Sequence, residues 1–359
     1  MIKEIGSIFP LDGVYSPEQE LSVEKGNQNV ILYSLCREAL YDIAVLCGTA
    51  NKKVLIPAYT CQTVISPFIE AGWNCAFYGI RRTLRIDVPY LEGLVDRIEP
   101  ELVVVHPFFG MDLNMEETAA LRRIREKGVM IAVDLTQCIF SRQYLDFVDF
   151  YVGSYRKWFP IPDGAFLKVC HGSSRPETPV TDNEEFVTWQ SDAMYLRARY
   201  FENGDPLIKA VSIRLNKAAD KVAENGIHPH RMSAFSSRLK QRQDDRDIQR
   251  RRTDNYAFLY NTLKPGSGFG FACEDLVGVT TAPLYFPIFV DDRNALQRVL
   301  AEAAVYAPVL WPVEDNAVLI NDDVRYIYDH LLAIPCDQRY DEEDIRRVAE
   351  VINRFFGLE

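Results

Sequence analysis

Short apolar runs alternate along the first half of the chain with stretches of helical spacing. VLIPAYT (Val54–Thr60) reads as a buried strand, and TVISPFIEAG after it as a short helix stopped by Gly72. Cys75–Ile80, Leu102–Phe109 and Val129–Thr136 predict three more strands, rich in Val, Ile and Phe. Between the last two, Met115–Lys127 gathers its charges on one face and ends at Gly128, which predicts a helix. Phe147–Tyr155 and Gly164–Cys170 complete the strand set. Strands and helices at this spacing imply right-handed crossovers and an α/β fold with a mostly parallel sheet covered on both faces. Ligands of such sheets bind beyond the carboxyl ends of the strands, so the residues leaving each strand are the first candidates for chemistry.

The pattern changes after Cys170. HGSSRPETPVTDNEE is polar and predicts an exposed loop, followed by one long helical stretch over Glu184–Glu224 and another from Arg238 to Leu263. The last third alternates again: strand at 282–290, helix at 292–303, strand at 331–336 and a terminal helix at 341–356. This divides the chain into a large domain over residues 1–230 and a smaller C-terminal α+β domain over 231–359.

Composition narrows the picture. A hydrophobic fraction of 48% with 25% charged residues implies a buried core. The net charge of -11 argues against a general nucleic-acid binder, which needs a basic surface. Seven Arg and Lys residues crowd between Arg238 and Arg252, but Asp244, Asp245, Asp247 and Asp254 lie among and beside them, as on a solvated helix face. The eight cysteines form no CxxC pair, so no zinc spacing exists, and they read as core residues of a reduced, cytoplasmic protein. No apolar run approaches membrane-spanning length, and the N-terminal text lacks a signal-peptide core.

Four pieces carry candidate chemistry. Ser34 precedes a helical pattern and reads as its N-cap; with Arg37 in the first turn, that helix start suits a phosphate. Asp134 closes the apolar run Val129–Val133, where a carboxylate needs a partner, and Gln137 follows three residues later. Ser154 and Lys157 leave the next strand together as SYRK. His106 stands in VHPFFG at another strand end, as a ligand contact or a structural histidine. Taken singly, each also fits a structural role: a capped surface helix, a satisfied carboxylate, an exposed loop lysine. An SxxK pair fits a serine nucleophile with a lysine base, but the SDN and KTG elements of that chemistry are missing. It also fits a lysine that forms a Schiff base with pyridoxal 5'-phosphate, with Ser154 on the phosphate. That cofactor needs an acid facing its pyridine nitrogen, which Asp134 supplies, and a phosphate cup, which Ser34, Arg37 and Ser154 supply.

The segments VLIPAYTCQTVISPFIEAG, AFYGIRRTLRID, VVVHPFFGMDLNME, VDLTQ and RMSAF together resemble the DegT/StrS-type sugar aminotransferases, over a span from about Val30 to the C-terminus. The resemblance implies a fold type I pyridoxal-phosphate-dependent transferase acting as a homodimer on small molecules. It would move an amine, often from glutamate, to a keto group on a nucleotide-linked sugar. Lys157 would hold the cofactor and shuttle the proton, Asp134 would keep the ring nitrogen protonated, and Gln137 would contact the phenolic oxygen. Ser154 with Cys36 and Arg37 would hold the phosphate. Relatives that dehydrate sugars carry histidine in place of the lysine, so Lys157 favours transamination. The chain departs from the family at Leu35-Cys36-Arg37, where Ser-Gly-Thr is usual. It departs again at Cys61, where an aromatic usually stacks on the ring and for which Tyr59 or another aromatic would substitute, and at Pro229, where an asparagine usually reaches the neighbouring subunit. These departures leave two alternatives: a cofactor-fold binding or scaffold subunit without catalysis, and another pyridoxal reaction such as elimination.

Overall fold

The computed structural model describes residues 3–11, 29–48, 51–170, 172–273 and 281–358. A two-residue strand β1 (Ile5–Gly6) opens the chain. There follow β2 (Val30–Tyr33), α1 (Cys36–Cys47), β3 (Lys53–Pro57), α2 (Gln62–Glu70), β4 (Asn74–Tyr78), α3 (Val88–Ile98) and β5 (Leu102–Val105). Next come α4 (Met115–Glu126), β6 (Met130–Asp134), β7 (Phe150–Ser154) and β8 (Ala165–Val169). These strands form one seven-stranded sheet in the order β2-β8-β7-β6-β5-β3-β4. Every pair from β7 to β4 is parallel; β8 runs antiparallel to both neighbours. β5 is buried on both faces along its whole length, as an apolar run LVVV in a helix-covered parallel sheet must be.

The expected strand Leu102–Phe109 stops at Val105 for a backbone reason. Pro107 cannot extend the ladder, and Phe109 and Gly110 turn the chain at φ 48° and 84°. The strand at 129–136 likewise yields, after Asp134, to a 3₁₀ turn over Leu135–Gln137. Both early stops put side chains at the carboxyl edge of the sheet.

The long helical stretch at 184–224 is two antiparallel helices, α5 (Glu184–Asn203) and α6 (Pro206–Glu224). Gly204 in the left-handed region ends the first; Asp205 caps the second and Pro206 takes its first position. The stretch at 238–263 is also two helices, α7 (Ala234–Gln241) and α8 (Asp245–Thr262), because Asp244 accepts from the Arg246 and Asp247 amides and restarts the helix. On α8, Arg250 and Arg251 pair with Asp247, and Arg250 also with Asp254, all exposed. Arg252 of the same run is buried instead, its guanidinium 4.5 Å from the Trp158 ring.

The C-terminal part adds β9 (Phe269–Phe271), β10 (Phe286–Val290), α9 (Arg293–Glu302), β11 (Val305–Tyr306), α10 (Asp322–His330), β12 (Leu331–Ile334) and α11 (Glu342–Phe355). β12, β10 and β9 form an antiparallel sheet. α11 lays Ile345, Val348, Ala349 and Ile352 on a second apolar core with β10, β12 and α8. β1 pairs with β11 and buries Ile5 in that core, so the N-terminal segment belongs structurally with the C-terminal part. Glu4 anchors it to the helical hairpin, accepting from Arg197 at 2.7 Å and Tyr200 at 2.8 Å. Among the described residues, no helix is long and apolar enough to cross a membrane.

Candidate active site

Three successive parallel strands end at one place. β5 leads into His106, β6 ends in Asp134, and β7 ends in Ser154, from which a 3₁₀ turn carries Tyr155, Arg156 and Lys157. The turn is held by backbone bonds: the Tyr155 and Arg156 amides donate to Gly164 O at 2.9 and 3.2 Å. Gly164 has φ 138°, and a Cβ there would stand 3.0 Å from Met232 Cε and 3.1 Å from Ile161 Cδ1, so the IPDG bend requires glycine. Trp158, fully buried, donates from Nε1 to Thr136 O at 2.8 Å and so ties the lysine turn to the turn after Asp134.

Two cavities meet at this edge. The smaller, about 300 Å³, is lined by Cys36, Arg37, Cys61, His106, Asp134, Ser154, Arg156 and Lys157, among others. The larger, about 720 Å³, adjoins it and reaches the N-terminal segment and the second core. Gln137 lines the larger one; Arg156, Lys157 and Trp311 line both. Thus Lys157, Asp134, Ser154, Cys36, Arg37 and Cys61 are brought together, and Gln137 stands next door. Lys157 Nζ has no hydrogen bond or ion pair with any described residue.

Asp134 is buried. One carboxylate oxygen accepts from the Thr136 amide at 2.8 Å, and the other stands 3.5 Å from His106 Nδ1. Burial holds the His106 pKa below its ordinary value, against the pull of Asp134 and with the help of Lys157. The imidazole is therefore neutral, and the Asp134 carboxyl lines the cavity. Gln137 Oε1 accepts from the Phe109 amide at 2.9 Å, which leaves its Nε2 as donor. Burial, then Asp134, pushes the Cys36 thiol well above its ordinary pKa, so it is a protonated wall.

Two expectations are corrected. Ser34 is not the N-cap of α1; Leu35 is. The Ser34 backbone is committed elsewhere, its amide donating to His230 O at 2.9 Å and its carbonyl accepting from the Gly164 amide at 2.7 Å. Glu38 closes the helix start by accepting from the Leu35 amide at 3.0 Å, and its other oxygen meets His230 Nδ1 at 3.0 Å. Tyr59 does not line the cavity: it is packed beneath, against Trp311 at 4.8 Å, Tyr328 at 5.1 Å and Phe108 at 5.7 Å. Trp311, which sequence reasoning missed, is the aromatic at the cavity. Arg156, Asp220 and Glu224 were missed as well; only Arg156 gave a signal, by standing next to the lysine.

The residues present fit pyridoxal phosphate. The small cavity offers a partnerless lysine, a buried carboxylate for a ring nitrogen, an amide donor beside it, and two guanidiniums for a phosphate. No protein-family profile and no curated protein matches the chain. Solved structures do match in fold. CalS13 from Micromonospora echinospora, a sugar aminotransferase, superposes with TM-score 0.61 at 16% identity, covering 92% of this chain and 88% of that one. PseC from Helicobacter pylori, an aminotransferase of pseudoaminic acid biosynthesis, gives TM-score 0.67 at 13% identity over 92% and 88%. NtdA from Bacillus subtilis, with the cofactor PMP bound, gives 0.62 at 13% over 91% and 73%. The chain has the fold type I architecture of these enzymes.

Proposed function

We propose that the chain is a pyridoxal-phosphate-dependent aminotransferase that moves an amine, with glutamate as donor, to a keto sugar. The observation that carries this is the convergence of Lys157 and Asp134 on one cavity, with Gln137 at its border. When bound, pyridoxal phosphate supplies an aldehyde that captures amines and a ring that draws electrons from the neighbouring carbon. Lys157 Nζ would hold the cofactor and, when free, would move a proton at the substrate carbon. Asp134 would hold a proton on the ring nitrogen, with the neutral His106 ring standing 3.5 Å from its carboxylate. Gln137 Nε2 would donate to the phenolic oxygen, and Ser154, Cys36 and Arg37 would hold the phosphate.

The larger cavity, with Phe9, Tyr285, Tyr306 and Trp311 among its walls, offers flat faces for a sugar ring, and its volume leaves room for a nucleotide-linked acceptor. The large domain over residues 1–230 carries the cofactor and the part over 231–359 closes the acceptor side. By resemblance the working form is a homodimer. Titration with pyridoxal phosphate and then glutamate tests the reading: visible absorbance appears with the first and shifts to the amine form with the second. Uptake without a glutamate-driven shift would favour the non-catalytic binding subunit, to which Cys61 in the stacking position points. No uptake at all would end both.

A further inference from the structure

The Arg156 guanidinium carries five N–H donors and makes no hydrogen bond or ion pair with any described residue; it stands 5.7 Å from the Phe186 ring. It lines both cavities, and burial works against its charge. A desolvated guanidinium of this kind calls for an anion. Arg37 enters the same cavity from the first turn of α1, with a single assigned hydrogen bond, from Nη1 to Ala223 O at 2.5 Å. Opposite them, the last turns of α6 bring Asp220 and Glu224 to the cavity wall. Asp220 faces both arginines yet closes an ion pair with neither; its carboxylate accepts instead from Asn216 Nδ2 at 3.2 Å. Burial lifts the Asp220 pKa, Arg156 and Arg37 lower it, and Glu224 raises it, with the balance upward. Cys36 of α1, Cys61 before α2, Asp134 of β6 and Lys157 of the 3₁₀ turn are the other titratable groups on this cavity, with His106 at its floor.

We propose that Arg37 and Arg156 form a two-guanidinium clamp on the cofactor phosphate, and that Asp220 is its resident counter-charge, taking a proton from solvent when the anion arrives. This rests on the cofactor reading above and adds to it. Three cationic side chains, Arg37, Arg156 and Lys157, face three carboxyl groups, Asp134, Asp220 and Glu224, in the free cup, so a doubly charged phosphate entering it meets a formally neutral site. Protonation of Asp220, the carboxylate that faces both arginines, restores the attraction. Cofactor binding is therefore coupled to proton uptake and tightens as pH falls. The clamp stands where the resembling family uses a small-residue helix start.

The test is calorimetric titration of the full chain, freed of cofactor, with sulfate, an anion that does not itself titrate. Repeating it in buffers of different ionisation heat reads the protons taken up. Wild type should take up a proton on binding; Asp220→Asn should take up none and bind sulfate roughly tenfold tighter near neutral pH, the equivalent of about one pKa unit. Arg156→Gln should lose at least roughly tenfold in affinity for sulfate and pyridoxal phosphate. Pyridoxal, which lacks the phosphate, should still be trapped on Lys157 by borohydride in that variant, and Arg156→Lys should restore part of the loss. Unchanged proton uptake in Asp220→Asn, or unchanged sulfate and pyridoxal phosphate affinity in Arg156→Gln, would overturn the clamp while leaving the cofactor reading intact. Sulfate behaviour as described, with nothing trapped on Lys157, would sink the cofactor reading and leave an anion clamp.

Discussion

The two ends proposed for the small cavity, one for the cofactor ring and one for its phosphate, are built differently. At the ring end, His106, Asp134 and Lys157 come from the edges of three adjacent parallel strands. Short local bonds fix them: Thr136 on Asp134, Gly164 on the lysine turn, and Trp158 joining the two turns. At the phosphate end, the charges come from α1, the 3₁₀ turn and α6, whose positions are set by tertiary packing and not by strand register. The ring end has to place a few atoms for bond-making, which rigid strand ends do well. The phosphate end has to balance charge, which any element able to deliver a side chain can do.

The largest expected effect breaks the ring end. Lys157→Ala should abolish covalent attachment of pyridoxal phosphate, read as loss of visible absorbance and of any borohydride-stable adduct. Asp134→Asn should keep the cofactor bound and lower the rate of the amine half-reaction by about 10²–10³, as when a charge-stabilising group is removed; a rate within threefold of wild type would mean that Asp134 does not face the ring.

Trp158→Phe cuts the joint between the turns. It strands a buried Thr136 carbonyl and should cost about 1–3 kcal/mol in denaturant unfolding, with the cofactor bound more loosely. No change in either would show that the two turns are set independently.

The smallest effect probes the phosphate end. Glu38 and His230 pin the start of α1, and each has a folded pKa above its ordinary value: Glu38 through burial, His230 through the hydrogen bond it donates to Glu38. For a raised histidine, the stabilisation is complete below the unfolded pKa and is lost as pH rises through the folded one; the raised glutamate also loses stability with rising pH. Wild type should therefore lose more Tm than His230→Gln between about pH 6 and about pH 8, by roughly 1–2 °C. Parallel pH profiles would remove this pair from the account.

The same contrast explains what was legible in the sequence. The strands read correctly because buried parallel strands are plain apolar runs, and the placement of Asp134, Gln137 and Lys157 at the sheet's carboxyl edge was legible because strand-end residues carry their neighbourhood with them. Helix breaks were missed at Gly204-Asp205-Pro206 and at Asp244, although each has ordinary stop or start chemistry, because charge patterning ran on through them. Ser34 read as a cap because its type suits one; the bonds that commit it to His230 and Gly164 link residues far apart in sequence. Tyr59 and Trp311 exchanged roles for a similar reason: which ring faces the cavity depends on how residues 307–320 fold back over the sheet. Asp220, on a helix with no strand nearby, gave no signal at all.

The central claim is a covalent bond between one lysine and one aldehyde. Loading the chain with pyridoxal phosphate, reducing with borohydride and mapping the peptides by mass tests it most directly. The account predicts one adduct per chain, on Lys157. An adduct on another lysine, or none, would contradict it.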